Sequence, residues 1–92
     1  MDNEIIMLIQ FLSQKSYLTL KEIEIGINIT RRQATYRIDK LNALLKSARV
    51  PLITIGSSSA REIVIQEETR RAMIRMAEEV KKGNQYYLNK KE

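Results

Sequence analysis

"LTLKEIEIGINITRRQATYRIDKLNALLKS", residues 18–47, decides the fold, because it writes two helix starts with one tight stop between them. Thr19-Leu-Lys-Glu22 is a capping box: the hydroxyl and the carboxylate each satisfy a backbone N–H that the first helical turn leaves without a partner. Gly26-Ile-Asn28 then ends that helix, since Asn tolerates the left-handed conformation that closes many helices. Only Ile29 separates the stop from a second box, Thr30-Arg-Arg-Gln33. The spacing predicts one helix from Thr19 with a core face of Leu20, Ile23 and Ile27. After a turn of about three or four residues it predicts another from about Arg31 to Ser47. In the longer helix Ala34, Ile38, Leu41 and Leu45 line one face. Arg32, Tyr36, Asp39, Lys40 and Ala43 fall near the opposite side, flanked by Gln33 and Arg37.

On the N-terminal side, Ile5, Leu8, Ile9 and Leu12 recur at helical spacing and predict a helix over residues 4 to about 15, with residues 16–18 interrupting the pattern. On the C-terminal side the period changes. LITI (52–55), GSSSA (56–60) and REIVI (61–65) read as a β-hairpin around a Gly/Ser turn. Gln66-Glu67-Glu68-Thr69 opens a last helix with acid in its first turn, and Lys81-Lys82 and Gly83 close it. Its stripe of Met73, Met76, Ala77 and Val80 either covers the domain's own core or pairs with a second copy, a candidate homodimer through residues 67–82. The division expected is therefore a domain over 1–66, a C-terminal helix over 67–83 and a polar, basic tail over 84–92.

Composition removes most chemistry. The 92 residues contain no His and no Cys, so the usual general base, the thiol nucleophile, thiolate metal ligands and disulfides are all missing. Gly26, Gly56 and Gly83 stand far apart and form no phosphate-cradling loop. The carboxylate pairs Glu67-Glu68 and Glu78-Glu79 are adjacent in sequence and point about 100° apart on a helix, which suits solvation better than acid/base work. Ser57 to Ser59 read as a turn. A non-enzymatic chain without cofactor or metal is expected. The longest apolar run, residues 5–12, is too short to span a bilayer and has acidic residues before it, so a cytoplasmic protein with no membrane role is expected.

The formal net charge is +5 and the pI about 9.7. Residues 19–61 hold eight basic side chains against three acidic ones, so the whole excess lies in the two capped helices and the hairpin. A face biased in this way fits duplex phosphates, whereas a merely solvated face mixes its signs, as residues 67–82 do. The major groove admits one helix, and its base edges pair with Arg at guanine and Gln at adenine. Arg32, Gln33 and Tyr36 are the expected base-side residues. Arg31, Arg37 and Lys40, with Thr19, Lys21 and Thr30 at the helix starts, are expected at phosphates, and Ser58 and Arg61 of the hairpin at the backbone or minor groove. The competing reading makes the arginines ordinary solvated charges and Tyr36 a packing residue.

The order helix, capped helix, turn, capped helix, two-stranded wing resembles a winged helix-turn-helix, an α+β, mostly helical fold with three helices, a wing and here an extra C-terminal helix. Within that class, Leu18-Thr19, Glu22-Ile23, Ile27, Ile29-Thr30-Arg31-Arg32, Tyr36, Ile38 and Lys40-Leu41-Asn42 resemble the N-terminal DNA-binding segment of BglG-type sugar-utilisation regulators. The resemblance covers roughly residues 5–66. It implies a bacterial transcription regulator binding double-stranded DNA through helix 31–47. Such regulators continue into phosphorylatable His-containing domains, and with no His in this sequence the resemblance implies either an isolated DNA-binding module or a part of a longer regulator whose regulatory domains lie outside it. The chain departs from the pattern at Asn28, where Gly is frequent, and at Glu24, usually a small residue; Glu24 is expected to lean outward or to meet a cation. The alternatives are a winged-helix protein-interaction module without specific DNA binding, and an RNA-binding antiterminator.

Overall fold

Both capping boxes close. In the computed structural model, which describes the backbone of residues 2–91 and the side chains of residues 2–83, Thr19 accepts the Glu22 N–H and the Glu22 carboxylate accepts the Thr19 N–H. Thr30 and Gln33 do the same eleven positions later. The elements are α1 (Asn3–Ser13), β1 (Leu18–Thr19), α2 (Leu20–Gly26), α3 (Arg31–Ser47), β2 (Thr54–Ile55), β3 (Glu62–Val64) and α4 (Glu67–Lys91). The fold is α+β and mostly helical, four helices with a three-stranded antiparallel sheet in the order β1-β3-β2.

The stop between α2 and α3 is made by Asn28, whose φ of 54° lets the Ile29 N–H reach back to the Glu24 carbonyl at 2.9 Å. The end of α3 repeats the device with an arginine. Arg49 has φ 60°, its N–H reaches the Lys46 carbonyl at 3.1 Å, and the Val50 N–H reaches Leu45 at 3.3 Å. Each motif turns an apolar residue, Ile29 or Val50, back onto the core.

Four expectations change. First, residues 18 and 19 form a strand, with Leu18 opposite Ile63 and Thr19 opposite Glu62. Second, the hairpin strands are shorter than 52–55 and 61–65: the peptide N–H and C=O of Ile53 are taken by the Asn42 side chain, so the ladder starts at Thr54, and Arg61 sits at φ 49° just before β3. Third, α1 begins at Asn3, with Asp2 as its cap, and ends at Ser13. Fourth, Gly83 does not stop the last helix, which runs on to Lys91, because among the glycines of this chain none adopts a positive φ and a helical Gly costs only about 1 kcal/mol. The side chains expected as a tail, 84–92, lie outside the described residues.

The core is the meeting of the predicted faces. Ile5, Leu8, Ile9 and Leu12 of α1, Leu20 and Ile23 of α2, and Ala34, Ile38, Leu41 and Leu45 of α3 are all buried, with Ile27 half-buried at their edge. The α4 stripe closes over this core: Met73 and Ala77 are buried and Met76 and Val80 are partly so, which occupies the face considered for a homodimer through 67–82. Two polar contacts fix its seat. Arg70 donates to the Leu12 carbonyl at the end of α1 (2.8 Å), and the buried Thr69 hydroxyl donates to the Pro51 carbonyl. No helix among the described residues is long and apolar enough to cross a membrane.

Candidate nucleic-acid interface

The exposed side of α3 follows from its buried side. With Ala34, Ile38, Leu41 and Leu45 inward, a rise of about 100° per residue sets Arg32, Tyr36 and Ala43 outward, with Gln33 and Lys40 close beside them. Arg32 and Gln33 are exposed, and Tyr36 is 60% exposed, unusual for a tyrosine with a core beside it. The Lys40 ammonium lies 5.6 Å from the Tyr36 ring centre. The three residues expected on the base side therefore share one open face in the N-terminal half of the helix.

The residues expected at phosphates divide. Lys21, Ser58 and Arg61 are exposed, and no ion pair engages them among the described residues. Arg31 meets Glu24 at 3.1 Å, which answers the question Glu24 raised: this carboxylate leans to the start of α3 and pairs there. Arg37 lies 3.6 Å from Glu4, and Lys40 lies 2.9 Å from Asp2. The first turn of α1 thus supplies two carboxylates to α3. The Lys40 hydrogen bond, and next the Ile5 N–H, hold the Asp2 carboxyl below its ordinary pKa, and Asp2 in turn raises that of Lys40.

At the start of α2 the backbone is engaged. The Thr19 N–H is taken by Glu22 and the Leu20 N–H by the Arg61 carbonyl, both at 3.0 Å, so the expected phosphate contact of the Thr19 to Lys21 amides is limited to Lys21. Thr30 is likewise occupied by Gln33, at 3.0 and 3.1 Å.

One residue that positions the site was absent from the sequence reading of it. Asn42 lies half-buried on α3, and its amide donates to the Ile53 carbonyl (2.9 Å) and accepts the Ile53 N–H (2.8 Å), as a neighbouring strand would. This pair locks the helix to the segment that enters the β2–β3 hairpin. The available signal was an Asn inside a helix, where its propensity is poor and a specific hydrogen bond is the usual compensation.

Beside the face, between the start of α1 and the second half of α3, a groove of about 260 Å³ is lined by Asp2, Ile5, Lys40, Ala43 and Leu44. Its two ionisable groups are bonded to each other, which leaves a wall of alkyl surface. Among the described residues, no three carboxylate groups gather to hold a metal ion. Comparison with family models, with curated proteins and with solved structures finds no match for this chain, so the meaning of the site is argued from its own geometry.

Proposed function

We propose that this protein is a non-enzymatic, sequence-specific double-stranded DNA-binding module of a bacterial cytoplasmic transcription regulator. In this reading α2 and α3 are a helix-turn-helix, the β2–β3 hairpin is its wing, and α3 enters the major groove. The observation that carries the proposal is the two-sided character of α3. One side is sealed into the core, while Arg32, Gln33 and Tyr36 stand exposed at its N-terminal half, where recognition helices meet base edges. Lys21, Arg61 and Ser58 then face the backbone from either side, and Arg37 and Lys40 reach phosphates by exchanging a carboxylate for one.

Selection of bound duplexes from a random pool, followed by titration at several salt concentrations, tests this. Arg32→Ala is expected to weaken the selected site by about 1 to 3 kcal/mol and to relax preference at one position, while Lys40→Ala weakens all sequences alike. Equal losses on every sequence for both variants would remove α3 from the groove. A protein-interaction module is the second reading, favoured by the exposed Tyr17, Leu52 and Val64 around the small sheet. A chain that shifts no duplex at low salt yet forms a defined protein complex would establish it.

A further inference from the structure

Gln33 is exposed but not free. Its side-chain carbonyl accepts the Thr30 N–H at 3.0 Å, and because that backbone group is a donor, only the amide oxygen can face it. The nitrogen is thereby turned away from the cap. Recognition of adenine asks both ends of a glutamine at once, the oxygen accepting from N6 and the nitrogen donating to N7. While Gln33 closes the box, one of the two lone pairs of that oxygen is taken and the orientation of the carboxamide is set by the cap, so the nitrogen is the end left wholly available. Arg32, its neighbour, has donors only.

The rest of the first turn is consistent with this. A capping box favours Glu or Gln at the position Gln33 holds, and acid there also gains from the helix dipole. The start of α2 uses Glu22, paired with Lys15 at 3.6 Å; the first turn of α3 has no acidic residue. The first turn of α3 thus adds hydrogen-bond donors and no acid of its own, and the Glu24 carboxylate that reaches its start is taken by Arg31 at 3.1 Å.

We propose that the first turn of α3 reads DNA as a donor-only surface: the Gln33 amide nitrogen and the Arg32 guanidinium select base edges that present acceptors. Guanine, with N7 and O6, is the preferred base, in place of the adenine that an unrestrained glutamine would read. This rests on the duplex-binding function proposed above.

The test is selection from a random duplex pool by the full chain and by Gln33→Glu and Gln33→Ala. Glutamate keeps the cap, as Glu22 does in α2, but exchanges the outward nitrogen for an acceptor. Gln33→Glu is expected to melt like wild type, to bind the wild-type site about tenfold more weakly, and to move one selected position from guanine toward cytosine, whose N4 donates. Gln33→Ala loses cap and contact together. The wild-type selection alone already separates the two bases, whatever the variants do to folding. Adenine selected by wild type and lost in Gln33→Ala would overturn the inference and leave duplex binding standing. An unchanged preference in Gln33→Glu would make Gln33 a cap and nothing more, which also overturns it. Failure of the wild-type chain to enrich any sequence would overturn this inference and the duplex-binding function together.

Discussion

Gly26 and Asn42 are the two residues on which α2 and α3 hold their places, and they do so in opposite ways. A Cβ at Gly26 would collide with the Phe11 ring of α1, so the glycine is there for space; its φ is not positive. Gly26→Ala is expected to destabilise the chain, because overpacking at about 1 to 3 kcal/mol outweighs the roughly 1 kcal/mol that alanine adds to a helix. In a Phe11→Leu background the same change is expected to stabilise, and a double-mutant cycle by denaturant titration measures the coupling. Asn42→Ala leaves both polar groups of Ile53 without their partner and is expected to cost about 1 to 3 kcal/mol in the same experiment, with Asn42→Asp failing to restore it because the carboxylate cannot donate to the Ile53 carbonyl. Thr19, Thr30 and Gln33 were legible in the sequence because their partners lie three positions away. Asn42 was not, because its partner is eleven positions on and belongs to an element whose start it defines. The orientation of Gln33 lay in between: the box that fixes it was read, and the consequence proposed for base recognition needed the bond itself.

Among the elements, α1 does more than fill the core. Its cap, Asp2, and its first-turn Glu4 meet Lys40 and Arg37 of α3, so two cations that segment charge assigns to a partner are already matched within the chain. The sign of the linkage is fixed by the shifts. Asp2, with its pKa lowered, contributes above the unfolded carboxyl value of about 3.9 and loses that contribution as pH falls through its folded value. Lys40, raised, contributes below about 10.4 and loses it as pH rises through its folded value. The contact is therefore closed at neutral pH. Asp2→Asn keeps a side-chain acceptor for the Ile5 N–H and removes the charge, so its stability deficit at pH 7 is expected to vanish in acid, in melts followed across pH. Combined with Glu4→Gln it spares Lys40 and Arg37 the exchange of a carboxylate for a phosphate, so under the proposed function duplex affinity at low salt is expected to rise, in titrations against the wild-type chain. None of this was visible along the chain, since α1 and α3 are brought together only by their apolar faces. β1 escaped the sequence for a related reason: two residues have no periodicity, and their partner strand is far along the chain.

At the scale of the whole molecule, the apolar periodicities of α1, α2 and α3 foretold the part of the core that these helices supply, while Leu18, Ile53 and Ile63 join it from segments too short to show a period. The use made of α4 was left open by its sequence, as a stripe of Met73, Met76, Ala77 and Val80 would serve a core or a second copy equally well. Their burial within the chain's own core decides it for Met73 and Ala77. Met73→Ala is expected to cost about 2 to 5 kcal/mol by thermal or denaturant unfolding, the loss of a fully buried large side chain. If α4 were a detachable arm, the same change would leave the melting of the rest untouched.

The short strand at Leu18–Thr19 has one more consequence, for how the chain comes together. Its pairing with Glu62 and Ile63, continued by the bond from the Leu20 amide to the Arg61 carbonyl, ties the base of a loop that contains α2, α3 and the hairpin turn. Closing such a loop of roughly forty residues costs about 3 kcal/mol in chain entropy before any contact inside it is gained. The amides of Leu20 and Ile63 should then exchange with solvent together, as one cooperative opening, and late. A protease cut in the exposed Ser57–Ala60 turn would open the covalent loop yet leave its neck tied, so the exposed face of α3 should survive the nick.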